Sequence, residues 1–231
     1  MASQLLAALL VTTVFAALAY ALGMISRGGA LGGLLVGTTI YVSLGPRGFA
    51  VLALFVIGGS LLTRLGYHSK RRTGTAEEHG GRRGARNALA NCSVAVLCAV
   101  LAAATGSQTL LAPFVASLGA AFADTAESEI GQLFSRTPRL ITTLRNVPPG
   151  TDGAISLPGT FAGATAACLT AALGLALGML QTPGSALFVA TAAFLGTVAD
   201  SLIGALSPRA GNELTNVLCT LVAALLALLF I

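Results

Sequence analysis

Long apolar runs separated by short polar connections dominate the chain. The pattern predicts eight membrane-spanning helices near 3–23, 28–45, 48–64, 88–105, 108–130, 158–180, 184–206 and 212–231. Each is close to the ~20 residues that cross the hydrocarbon core of a bilayer. The second run is rich in glycine and reads as either a full or a broken helix; a broken one is tolerated only where protein buries it. A transmembrane barrel would show segments of about ten alternating residues instead of long continuous runs. The predicted fold is an all-α polytopic membrane helix bundle, a single integral membrane domain over residues 1–231. Ala19-Tyr20-Ala21 imitates a signal-peptide cleavage site. The run before it lacks a basic segment and is long enough to span, so it reads as the first transmembrane helix.

Composition supports this reading. Of 231 residues, 55% are hydrophobic and 9% charged, which excludes an ordinary soluble domain. The abundant Gly and Ala let helices approach closely in lipid, within one chain or between copies, so an oligomer is compatible with the sequence. The four cysteines, Cys92, Cys98, Cys168 and Cys219, sit in apolar runs without metal or redox spacing and read as small buried residues. The net charge of +5 comes mostly from one loop, so no nucleic-acid partner is expected.

That charge also sets orientation. Arg64, Lys70, Arg71, Arg72, Arg82, Arg83 and Arg86 lie in one connection, and Arg136, Arg139 and Arg145 in another. Arg27 and Arg209 occupy two more. With eight spans these four connections share one side, leaving Arg47 on the other. The positive-inside rule puts loops 65–87 and 131–157 in the cytosol and both termini outside.

Asp124, Glu127 and Glu129 are out of place at the end of an apolar run. An ionised acid in hydrocarbon costs roughly 2.5–3.5 kcal/mol on insertion scales and is usually kept for ions, substrates or polar partners. Glu129 reads as an acid emerging into water; Asp124, following Phe122 and Ala123, does not. Asp124 and Glu127 are three apart and share a helix face, where two carboxylates suit a Mg²⁺ that also binds phosphates. Asp200, in Ala199-Asp200-Ser201, is placed near the same membrane face and faintly repeats Ala123-Asp124-Thr125.

Three further stretches carry candidate chemistry. In 70–87, arginines interleave with glycines, a pattern suited to polyphosphate, although a retention segment touching anionic lipid would carry the same charge. In 146–163, Gly150-Thr151-Asp152-Gly153 and Ser156 lead into a span with Pro158 in its first turn. A glycine-rich turn feeding a helix N-terminus is an anion site as well as an ordinary cap. Asn212 and Asn216 share a face at the start of the last span and would meet another helix or a nucleotide. His68 and His79 read as loop histidines, and no Gly-x-Ser-x-Gly elbow or Walker pattern occurs.

The blocks 71–91, 122–131, 150–163, 199–204 and 212–216 resemble those of the transmembrane protein 19 family of integral membrane proteins, which includes the chloroplast phytyl-phosphate kinase. More distantly, 124–131 followed by 156–163 is similar to the paired motifs of CTP-dependent polyprenol, dolichol and phytol kinases. The resemblance implies transfer of a phosphoryl group from a nucleoside triphosphate, CTP favoured, to an isoprenoid monophosphate. By position it implies Asp124, Glu127 and Asp200 as Mg²⁺ ligands. It implies Lys70, Arg71, Arg82, Arg83 and Arg86 as phosphate contacts. Asp152, Gly153, Ser156, Gly159 and Thr160 would surround the transferred group, and Asn212 and Asn216 would face the nucleotide. A cytidylyltransferase releasing pyrophosphate and a secondary transporter with intramembrane acids are the competing expectations.

Overall fold

A computed structural model describes residues 2–207 and 211–229, apart from the side chains of Glu78 and His79. Arg209 and the last two positions of the eighth expected run lie outside the described residues. The structure is a polytopic all-α bundle. Helix α1 (Ala2–Ala21) leads into α2 (Arg27–Arg64), then the short α3 (Tyr67–Thr73) and α4 (Glu78–Gly81). The remaining long helices are α5 (Ala85–Thr105), α6 (Leu111–Phe134), α7 (Leu157–Ala176), α8 (Pro183–Leu206) and α9 (Asn212–Leu228). Six of the described helices are long and apolar enough to cross a membrane, and α9 is a shorter apolar one.

Helix α2 accounts for two expected runs. Gly45, at φ 68° and ψ −160°, interrupts it between halves 27–44 and 46–64. Beyond that point the chain folds back. The Phe49 ring lies 5.9 Å from Tyr41 and 5.3 Å from Phe15, whereas residues 41 and 49 of one straight helix would be about 12 Å apart along its axis. The glycine-rich second run is therefore a regular helix that ends at a glycine turn.

Helix α6 is the centre of the bundle. In its most apolar stretch 72% of residues are buried, against 22% in α1. It touches α2, α5, α7, α8 and α9. Small buried residues such as Ala116, Ala120 and Ala123 permit that crowding. The entries to α2 and α7 are capped by serine. Ser26 Oγ accepts from Gly29 N at 3.1 Å, and Ser156 Oγ accepts from Gly159 N at 3.2 Å.

The connections after α1, after α2, after α6 and after α8 meet at one end. Ser26 N donates to the Arg83 carbonyl at 3.0 Å and Arg83 N to the Met24 carbonyl at 3.1 Å. A Cβ on Gly150 would lie 2.9 Å from Thr75, and one on Gly153 would lie 2.5 Å from Ala205. At the opposite end Gln4 Nε2 donates to the Val42 carbonyl at 3.1 Å, and Arg47 approaches Gly178. The connections that carry Arg64–Arg86 and Arg136–Arg145 thus share an end with that of Arg27, and Arg47 lies at the other, in keeping with the charge pattern.

Two expectations need correction. Helix α6 continues to Phe134, four residues beyond the expected end of the fifth span. Within the 131–157 connection, β1 (Arg139–Leu140) pairs antiparallel with β2 (Ala154–Ile155). Cys92, Cys98 and Cys219 are buried, but Cys168 is exposed on the outer side of α7.

Candidate active site

A polar cavity of about 440 Å³ opens where those connections meet. Helix α6 contributes Asp124, Thr125 and Glu127, and α8 contributes Asp200 and Ser201. Asn212, Thr215 and Asn216 come from α9, Asn87 and Asn91 from α5, and Asp152, Gly153 and Ser156 from the 135–156 segment. Its volume falls in the ordinary range of ligand sites, about 300–1,000 Å³.

Glycine contacts hold these walls together. A Cβ on Gly159 would lie 2.6 Å from the Glu127 carbonyl oxygen, so α7 and α6 meet backbone to backbone just behind the acids. Gly153 has φ +75°, and a Cβ there would meet the Ser201 carbonyl oxygen at 2.5 Å. That contact seats the loop carrying Asp152 on the end of α8. Asp124 and Glu127 are half-buried, and Asp152 is exposed at the rim. Glu127 Oε1 accepts from Thr160 Oγ1 at 3.4 Å.

Arg83 forms one wall. Its Nη2 donates to Thr125 Oγ1 at 3.1 Å and its Nη1 to Asn87 Oδ1 at 3.4 Å. The guanidinium lies 5.4 Å from the centre of the Phe55 ring, a cation–π distance. Burial pulls its pKa down, while Glu77, Glu129 and Asp124 oppose that shift. A guanidinium, whose proton is held far above neutral pH, stays charged at physiological pH. Among the described residues no carboxylate forms an ion pair with it, and its Nε is buried without a partner. A fixed positive charge beside a cavity, with no ion-pair partner among the described residues, is suited to an anionic ligand.

Asp200 Oδ1 is likewise buried without a hydrogen-bond partner in the described structure. Among the described residues no three His, Cys, Asp or Glu side chains form a metal-holding group, so Asp124, Glu127 and Asp200 are not a closed protein cage. Mg²⁺ beside phosphates usually takes only one or two carboxylates and completes its octahedron with waters and phosphate oxygens. Asp124 and Asp200, on two helices around one cavity, with an unpaired buried oxygen, fit that sparse donor set.

Comparison with known proteins places the chain. A profile described as integral membrane protein DUF92 matches residues 10–224. The chain belongs to this family. An uncharacterized membrane protein of Synechocystis is 37% identical over 201 residues, covering 84% of this chain and 77% of that protein. Protein VTE6, chloroplastic, of Arabidopsis thaliana is 32% identical over 216 residues, covering 89% of this chain and 65% of the plant protein. An uncharacterized membrane protein of Methanocaldococcus jannaschii is 35% identical over 205 residues, covering 87% and 83%. No solved structure matches.

In this DUF92 member, nine of the residues singled out from sequence line one cavity: Arg83, Asp124, Glu127, Asp152, Gly153, Ser156, Asp200, Asn212 and Asn216. Thr160 supports Glu127 without lining the cavity, and Gly159 is a packing glycine. Arg71, Arg82 and Arg86 are exposed and lie outside the lining. Lys70 is fully buried. Its ammonium bonds the carbonyls of Leu62 at 3.2 Å and Thr63 at 2.9 Å and pairs with Glu129, which uses all three of its donors. This corrects two expectations: in this geometry Lys70 has no donor left for phosphate, and Glu129 is a buried partner rather than a solvated acid. The sequence reading missed Asn87, Asn91, Thr125 and Thr215 as lining residues. The available signal was the spacing of Arg83, Asn87 and Asn91, four apart on one face entering an apolar helix.

Proposed function

We propose that the chain is a membrane-embedded phosphotransferase that moves the γ-phosphoryl group of a nucleoside triphosphate, CTP favoured, onto an isoprenoid monophosphate. The observation carrying the reading is Arg83, which has no ion-pair partner among the described residues, on the same polar cavity as Asp124 and Asp200. The resemblance of 124–131 and 156–163 to the paired motifs of CTP-dependent lipid kinases supports the donor, and the resemblance of 122–131 and 150–163 to the family that includes the phytyl-phosphate kinase supports the acceptor. The arginines in the connections around the cavity support a cytosolic placement.

Phosphoryl transfer rests mainly on positioning and charge neutralisation. Arg83 neutralises a phosphate at the cavity wall. Asp124 and Asp200 would hold Mg²⁺, which supplies charge neutralisation on the triphosphate when bound. The Asp152 loop and the start of α7, where Ser156 caps Gly159 N, close the cavity from the rim. An oxygen of the acceptor phosphate bonds to the γ-phosphorus, and the bond to the β–γ bridging oxygen breaks. The electron pair leaves with the nucleoside diphosphate. An ionised phosphate acceptor has no proton to surrender, so the chain needs no general base.

The test uses purified protein, Mg²⁺, a twenty-carbon isoprenoid monophosphate and each of CTP, ATP, GTP and UTP in turn, with products identified by mass spectrometry. Lipid diphosphate with the matching nucleoside diphosphate is expected, best with CTP. A CDP-linked lipid with pyrophosphate would make the chain a cytidylyltransferase. No turnover in folded protein, with substrate-dependent uptake into proteoliposomes, would favour a transporter.

A further inference from the structure

Behind the polar cavity lies a second, apolar one of about 60 Å³, between α1, α2 and α5. Phe15, Gly33, Phe49 and Phe55 are among its walls. Thr12 also borders it, but its hydroxyl is already engaged with the Ala8 carbonyl at 2.7 Å and Thr38 Oγ1 at 2.9 Å. The free side-chain polarity sits at one end, where Arg83 and Asn87 border both cavities. Arg83 rests over Phe55 on the apolar side and donates to Thr125 on the polar side. An anionic headgroup on a hydrocarbon stem would meet these two environments in that order.

Gly33 sharpens the point. Its neighbours are needed for packing: a Cβ on Gly29 would run into the Arg83 carbonyl, and one on Gly32 would lie 3.2 Å from Ala85 Cα. A Cβ on Gly33 would meet nothing within 4 Å. No left-handed φ is required there either. Neither packing nor backbone conformation calls for glycine at this position; what it leaves is space in the cavity wall.

We infer that the apolar cavity receives the first carbons of the acceptor's tail, with Arg83 at the junction holding its phosphate. The identity of the acceptor rests on the kinase reading; the placement rests on the two cavities. The space is too small for a long chain, whose remainder would lie along the lipid-facing helices. Gly33 stands one helical turn beyond Gly29, about 6 Å deeper than the Arg83 contact. A side chain there would obstruct carbons beyond the first isoprene unit and spare the headgroup.

The probe is a twenty-carbon isoprenoid monophosphate with a diazirine on its second isoprene unit, photolysed with the full chain in nanodiscs and mapped by peptide mass spectrometry. Label is expected on α1 and on α2 around Gly33. It should fall roughly tenfold in Gly33→Leu, the scale of lost contacts in an apolar pocket, and persist in Gly33→Ala. In turnover, Gly33→Leu should raise KM for the twenty-carbon acceptor while leaving KM for CTP and for a five-carbon acceptor unchanged. Label mapped elsewhere, or displaced as readily by phosphatidylglycerol as by unlabelled isoprenoid monophosphate, overturns the inference; the wild-type map decides this even if Gly33→Leu does not fold. Correct labelling without formation of lipid diphosphate would sustain the tail site and sink the kinase reading.

Discussion

Asp124 and Lys70 show how burial separates a chemical role from a structural one. Both are charged residues held at least partly out of water. Lys70 is matched completely: two carbonyls at the end of α2 and Glu129 take its protons. Removing one member of a buried pair strands the other, at about 3–5 kcal/mol, whereas replacing both with apolar groups is often neutral. Lys70→Met should therefore lower the unfolding temperature strongly, and Lys70→Met with Glu129→Met should recover most of it. An unchanged KM for CTP in the double variant would confirm that Lys70 stands apart from the phosphates. Asp124 lines the cavity without an ion-pair partner among the described residues. Asp124→Asn keeps its size and removes its charge. Activity should drop by roughly 10²-fold or more, the scale for losing one charge-stabilising group, with the melting temperature held. Equal turnover at equal folded amount would remove Asp124 from the metal site.

Gly45 decides what α2 is. Its φ and ψ lie in a region essentially confined to glycine, where other residues carry strain of about 1–3 kcal/mol. A Cβ there would touch nothing within 4 Å, so the backbone strain stands alone. Gly45→Ala should lower the melting temperature in detergent measurably. Gly33→Ala, in regular helix, should hold or raise it, since alanine is favoured over glycine by about 1 kcal/mol in helices. Similar melting in both variants would mean that the turn tolerates a side chain and that the hairpin is held from elsewhere.

The bundle as a whole gathers the connections after α1, α2 and α6, with their arginines, at one end around the cavity mouth. In a cysteine-free background, Thr142→Cys should react with an impermeant maleimide from the side carrying the cavity mouth. Gln108→Cys, in the connection between α5 and α6, should react from the opposite side. Applied to sealed inside-out vesicles, the reagent should label position 142 and spare 108. The reverse pattern would turn the mouth away from the cytosol and argue against access to a cytosolic nucleotide.

Run length and hydropathy are local properties, so the membrane helices, their order and the shared end of the basic connections were readable along the chain. Asp124 and Asp200 stood out for the same reason: charge within an apolar run needs a partner or a use. Arg83 was one of several loop arginines, and only its place on the cavity sets it apart. Which of these charges had found partners was not readable, because Lys70 and Glu129 are 59 positions apart and meet only when α3 packs on α6. The same holds for Thr125, an ordinary polar residue until helix packing brings it to Arg83, 42 positions away. The roles of the glycines separated only in three dimensions. Gly45 turns a helix, Gly159 joins two, and Gly33 leaves a space, distinctions made by backbone angles and by what a Cβ would touch.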